Sequence, residues 1–250
     1  MTLHLVRIPL RMSHLARWAA ARGWMQRHGF DEGRALHHLL AETFGKTVVQ
    51  PFRLLVPPRS DTANLYAYAN APAAELLSMA AAIALPENLV VLDLAKLQDK
   101  PMPILWNVGQ RLGFDLVTRP VRRLNAPLGD FSKGAEIDAF LAHVLHVCPD
   151  SPPETVEASR EAVYLDWLAE RLHGVARLLP QQTRLVQFRR TRVSRGGAAT
   201  EGPEATFHGT LDITDPLRFA DLLARGVGRH RAYGYGMLLL RAPNRPPPQS

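Results

Sequence analysis

Phe207-His208-Gly209-Thr210-Leu211-Asp212-Ile213, then Asp215-Pro216, then Arg225-Gly226-Val227-Gly228-Arg229-His230-Arg231-Ala232-Tyr233-Gly234-Tyr235-Gly236-Met237-Leu238-Leu239 is the part of the chain that decides the fold. The first run lies in an apolar and β-branched stretch, which predicts a strand over Ala205–Ile213. Asp215 can cap the amides of a helix that Pro216 opens, because proline suits the first helical turn. That helix is expected over Pro216–Ala224, and a last strand over Tyr235–Leu240 after the glycine-rich turn. Upstream, Thr183–Val193 reads as a strand paired across a Gly196–Gly202 loop. Glu154–His173 reads as a long helix with Val163, Leu165, Trp167, Leu168 and Leu172 on its apolar face, and Arg111–Arg123 as a strand. The order is β-α-β-β-α-β, the split βαβ arrangement of a ferredoxin-like domain.

The same order emerges from the first half. Leu3–Ile8 reads as a strand, Ser13 as the cap of a helix over His14–His28, and Asp31 as the cap of a second helix carrying Ala35, Leu36, Leu39, Leu40 and Phe44 up to Gly45. Strands at Phe52–Val56 and Asn64–Ala69, a helix at Pro72–Ala84 and a strand at Asn88–Leu94 complete the set. The expected architecture is α+β, with tandem ferredoxin-like (βαββαβ) domains and helical insertions. An N-terminal domain would span 1–98 and a C-terminal domain 104–242, followed by an extended tail, 243–250. Gly129–Pro149 reads as an insertion, helical from Ala135 to His146.

The 250 residues accommodate two units of this size. With 46% apolar residues the chain is not a disordered polyelectrolyte, and its longest apolar runs, Leu76–Leu85 and Val90–Leu94, are shorter than a membrane span requires. A single cysteine, Cys148, forms no internal disulfide and suits a reducing cytoplasm. The net charge is +7, and 26 of the 30 basic residues are arginine. Arginine grips phosphate bidentately and stacks on bases, which lysine does not. The excess is concentrated: residues 184–250 hold eleven arginines against five acidic residues, while the first 183 are nearly neutral. Three groups stand out, namely Arg119, Arg122 and Arg123; Arg184, Arg189, Arg190, Arg192 and Arg195; and Arg225, Arg229 and Arg231. This points to a polyanion as partner.

Within the glycine-rich stretch, Gly226, Gly228, Gly234 and Gly236 alternate with arginines, His230, Tyr233 and Tyr235. Glycines allow a backbone to approach phosphate, and arginines with aromatic rings suit RNA. The stretch lacks the lysine-serine/threonine ending of a P-loop. Serine-hydrolase, zinc-protease and dinucleotide signatures are absent. His37 and His38 are adjacent on a helix and point about 100° apart, so they do not chelate one metal. His143 and His146 have a suitable spacing but no carboxylate beside them. Neither a metal nor a cofactor is expected.

These residues bear a family likeness. Phe207–Ile213, Asp215-Pro216, Leu223–Gly228 and Gly234–Leu239, with Arg34-Ala35-Leu36-His37-His38-Leu39-Leu40 and Tyr164-Leu165-Asp166-Trp167-Leu168, resemble CasE, the CRISPR repeat-RNA endoribonuclease of type I-E systems. Arginine-rich processing nucleases of type IV CRISPR systems are close relatives. The resemblance implies a metal-independent cut in the stem-loop of precursor CRISPR RNA, leaving a 2′,3′-cyclic phosphate and a 5′-hydroxyl. It also implies retention of the mature crRNA and assembly with the other subunits of a Cascade-type complex. His37 matches the family's general acid or base. Arg34 stands where the family often has a tyrosine, and Glu42 where it has a lysine; Arg34 can stabilise the charge on phosphorus but not act as general acid, and His38 is a further catalytic candidate. A catalytically inactive crRNA-binding subunit of the same fold is the alternative expectation.

Overall fold

The computed structural model describes residues 2–26, 29–147, 159–195 and 198–243; of 26, 29 and 192–200 only the backbone is described. His28, Cys148, the expected helix start at 154–158, Gly196 and the tail from 244 onward lie outside the described residues. In chain order the first unit comprises β1 (His4–Arg11), α1 (Met12–Ala21), β2 (Met25–Gln26), β3 (Gly29–Phe30), α2 (Glu32–Phe44), β4 (Phe52–Leu55), β5 (Thr62–Ala69), α3 (Ala73–Ile83), α4 (Pro86–Val91) and β6 (Gln98–Pro101). The second comprises β7 (Arg111–Thr118), β8 (Val121–Arg123), β9 (Glu136–Asp138), α5 (Ala139–Val147), α6 (Arg160–Leu172), β10 (Ala176–Leu178), β11 (Arg184–Arg195), β12 (Ala198–Ile213), α7 (Pro216–Arg225) and β13 (Leu238–Arg241).

The first sheet has the order β4-β5-β1-β6 and is antiparallel throughout, which is the ferredoxin-like arrangement. Alternation along β1 turns Val6, Ile8 and Leu10 inward, where they pack with Ala63, Leu65 and Ala67 of β5 and with Leu36, Leu39 and Leu40 of α2. The second sheet repeats the topology as β11-β12-β7-β13, with β10 sharing the β12 edge with β11. Its core joins Phe114, Leu116, Phe207 and Leu211 to Tyr164, Trp167 and Leu168 of α6 and Phe219 of α7. Tyr68 of the first sheet is buried in this second core and donates its hydroxyl to the Leu238 carbonyl at 2.9 Å. The two units are therefore packed together across the open face of the first sheet.

Several expectations are corrected. Asn88–Leu94 is not a strand: Pro86 opens α4, and only Leu92 touches the sheet, through an isolated bridge to Leu10. The fourth strand is β6, which carries the first sheet past residue 98, the expected end of the first domain. Ser13 does not cap α1, because the helix begins at Met12; its backbone and hydroxyl both donate to Asp61 instead. That helix ends at Ala21, short of the expected His28. The strand expected over Arg111–Arg123 breaks around Pro120 into β7 and β8. In the insertion, β9 pairs with β8 before α5 begins, so Glu136–Asp138 is strand and not helix. The described part of the expected Gly196–Gly202 loop is strand, paired from Arg195 and Ala198 back toward the sheet. The last strand starts at Leu238, because Tyr235–Met237 belongs to the glycine-rich turn. By contrast, Asp31 and Asp215 cap α2 and α7 by accepting from Arg34 N and Arg218 N, at 2.9 and 3.0 Å.

Candidate functional site

The apolar spacing of α2 buries Ala35, Leu36, Leu39 and Leu40 and leaves His37 and His38 half-buried at its rim. The first turn of α2 lies directly on the glycine-rich turn of the second unit: a Cβ on Gly33 would sit 2.5 Å from the Tyr233 carbonyl oxygen. This contact delivers His37 to that turn. Its ring stacks on Tyr233 with centroids 5.0 Å apart and planes tilted by 37°, and it is hydrogen-bonded to the backbone of Ala232. Burial holds His37 below the usual imidazole range, an effect partly offset by the Ala232 bond. The His38 ring stands edge-on to His37 at 5.2 Å and lies against Trp24 at 4.8 Å, and the Arg34 guanidinium rests on the same Trp24 ring at 4.7 Å. His38 is also held low, by burial first and then by the neighbouring charges of His37 and Arg34.

The turn that receives His37 is pinned at its base. Val227 N donates to Gly236 O and Gly236 N to Val117 O, which ties the turn to β7. At Gly236 the backbone is left-handed (φ +80°), and a Cβ would collide with the Val227 carbonyl, so only glycine fits. The close approach at Gly226 is to the Gly236 carbonyl and Pro51, at Gly228 to Trp167, and at Gly234 to Phe52. These glycines thus seat the turn closely on protein. Above this base Arg225, Arg229 and Arg231 are exposed and border a cleft of about 650 Å³, which Gln50 and Asn70 of the first unit close from the opposite side. Arg231 is steadied by a bond to the Arg225 carbonyl at 2.8 Å. Arg229 and His230 both hold Glu136 of β9, each at 2.5 Å. The His230 bond is the foremost cause that keeps the Glu136 carboxyl below its ordinary range.

The remaining arginines differ in availability. Arg119 is 3% exposed, lies beneath Gly202, faces the Tyr235 ring at 5.8 Å and lines a cleft with Glu136 and Arg190. Arg122 pairs with Glu170 at 2.7 Å, and Arg123 is exposed. On β11, Arg184 donates to the Pro180 and Thr183 carbonyls, Arg189 pairs with Glu204 at 2.6 Å, and exposed Arg190 approaches Glu201 at 3.8 Å. Arg192 and Arg195 are placed on the outer part of the same strand by backbone alone. A second cleft, of about 550 Å³, runs between the units and is lined by Gly33, Arg53, Arg189, Glu204, Tyr233 and Tyr235, among others. Tyr233 therefore borders both clefts. Trp24, Gly33 and Glu136 are part of this site and carried no recognisable motif. Their only signal was negative, a glycine inside a helical pattern.

Residues 3–242 match the family model described as CRISPR associated protein. No curated protein matches the chain in sequence. Among solved structures, Thermus thermophilus Cse3 bound to an RNA representing a pre-cleavage complex is 21% identical with a TM-score of 0.65, over 96% of this chain and 100% of that one. Cse3 bound to a 19-nt RNA is 20% identical with a TM-score of 0.66, over 97% and 100%. Cas6e from Escherichia coli K-12 is 17% identical with a TM-score of 0.54, over 96% and 99%.

Proposed function

The chain belongs to the CRISPR-associated protein family, and from that membership we propose that it is an endoribonuclease that cuts precursor CRISPR RNA within its repeat stem-loops. The observation that carries this reading is the meeting of His37, from one unit, with the arginine-bordered glycine-rich turn of the other. RNA holds its own nucleophile. When the ribose 2′-oxygen attacks the adjacent phosphorus, a 2′,3′-cyclic phosphate forms and the 5′-oxygen leaves, with no metal required in principle. Neutral His37 takes the 2′-hydroxyl proton, a role suited to an imidazole that burial keeps unprotonated at neutral pH. Arg225, Arg229 and Arg231 neutralise the phosphates in the cleft, with Arg34 adding positive field behind His37, and with His38 kept as a further catalytic candidate. The β11 arginines follow the A-form stem through phosphate contacts. With many phosphates held, the product stays bound, and we propose that it is carried into a Cascade-type complex. Cse3 bound to RNA and a CRISPR RNA-guided surveillance complex among the structural relatives support this reading.

The test is incubation of the protein with an end-labelled repeat hairpin in EDTA, with analysis of both product ends. The expected result is one cut leaving a 5′-hydroxyl and a cyclic phosphate, and no cut when the scissile nucleotide carries a 2′-deoxy sugar. A gel shift without cleavage would favour a catalytically inactive crRNA-binding subunit, and cleavage of the 2′-deoxy substrate would overturn the mechanism.

A further inference from the structure

Among the described residues, Arg119 is the one arginine that the fold buries. It follows the last residue of β7 and turns beneath the β11–β12 hairpin, where a Cβ on Gly202 would collide with its Nη2. A guanidinium in such a place ordinarily meets a carboxylate or backbone carbonyls, because a buried cation without them is costly. Among the described residues its Nε has no hydrogen-bond partner and no ion pair reaches the side chain, which faces the Tyr235 ring. Arg119 lines a cleft of about 490 Å³ between the β8–β9 insertion and that hairpin. Val121, Phe131, Ile137, Leu141 and Pro203 give it apolar walls, and Glu136, Asp138 and Glu201 bring carboxylates. Each carboxylate has a cation of its own: Glu136 has Arg229 and His230, Asp138 has Arg160, and Glu201 has Arg190.

A phosphate would suit Arg119 but would meet three carboxylates in the same cleft. A nucleobase is neutral, its flat faces suit apolar walls, and its edges offer acceptors to a guanidinium and amino groups to carboxylates. Guanine fits best, because its O6 and N7 together accept from one guanidinium. The base has to be unpaired, since within a stem its faces and edge are occupied. The cleft adjoins the proposed RNA path on two sides. Exposed Arg190 of β11 lines it, and His230 lines both this cleft and the arginine-bordered one of about 650 Å³. We propose that this cleft binds an unpaired guanine of the RNA, with the Arg119 guanidinium donating to O6 and N7, and so sets a base requirement beside the stem. The inference rests on the reading above for RNA as ligand, and not for the cut.

The test measures dissociation constants of repeat hairpins on His37→Ala protein, so that binding is read without cutting. Each unpaired nucleotide flanking the stem is replaced in turn by guanosine, adenosine, uridine, cytidine or an abasic ribose. At one position guanosine should bind about tenfold or more tighter than the other four. Adding Arg119→Met, which keeps the bulk and removes the charge, should make all five equal there while the hairpin still binds. The thermal midpoint should stay unchanged or rise, because no anion of the protein loses its partner. Leu141→Trp, which fills the cleft and leaves Arg119 in place, should abolish the same preference. The proposal is overturned if no position prefers guanosine, or if the preference survives Arg119→Met or Leu141→Trp. A fall in midpoint with Arg119→Met would show the guanidinium satisfied within the fold and overturn it as well. Failure of every hairpin to bind at low salt would instead remove RNA as the ligand, and with it the reading above.

Discussion

His37 is useful as a base only while it is unprotonated. Burial lowers its pKa from an ordinary value of about 6.5. Activity that needs the neutral ring is present above that pKa and lost as pH falls through it. The acid limb of kcat/KM should therefore lie below about pH 6.5, and a limb at or above that value would count against the assignment. Gly33 acts on the same ring from behind. A methyl group there meets the Tyr233 carbonyl at 2.5 Å and must push the turn away from α2. Gly33→Ala should slow cleavage by about tenfold or more through lost alignment, with RNA affinity changed much less. His37 was legible in the sequence only through resemblance, since adjacent histidines on a helix have no chemistry of their own. Gly33 was not legible, because a helix-interior glycine reads as a local weakness until its neighbour from another unit is seen.

The element most misread was the fourth strand of the first sheet. Asn88–Leu94 is apolar and contains Val90 and Val91, yet Pro86 and Glu87 start a helix there. The true strand, Gln98-Asp99-Lys100-Pro101, is polar because it is an edge strand with exposed side chains, and polar, charged and proline-ended edges resist further pairing. Hydrophobic patterning cannot detect such a strand. The glycine-rich turn was found by composition, but its anchor was not, because Glu136 is far away in sequence. Glu136→Gln leaves Arg229 and buried His230 without their anion, and should cost about 1–3 kcal/mol of stability and loosen the turn, readable by denaturant melts. The β11–β12 hairpin extends past the end of β7, where pairing stops at Ala205. Arg190 stands exposed on that extension. If it meets a phosphate, Arg190→Ala should lower the slope of log affinity against log salt by about one, uniformly across hairpin sequences.

At the scale of the whole molecule, the repeated β-α-β-β-α-β order was readable because each unit carries its own periodicity and caps. How the two units meet was not readable, since it depends on residues far apart in the chain, such as Tyr68 with Leu238 and Arg53 with Asp115 at 3.4 Å. Tyr68→Phe removes one buried bond across the junction and should cost about 1 kcal/mol. The junction matters to the proposed site, for which α2 supplies His37 and the second unit supplies the arginine-bordered turn. The marked arginine excess lies in residues 184–250 of the second unit, whereas the proposed base, His37, comes from the first. The most direct measurement is the single-turnover cleavage rate of His37→Ala on a labelled repeat hairpin, with the dissociation constant measured on the same preparation. A loss of about 100-fold or more in rate, with binding retained, is expected. Cleavage at the rate of the unsubstituted protein would contradict it.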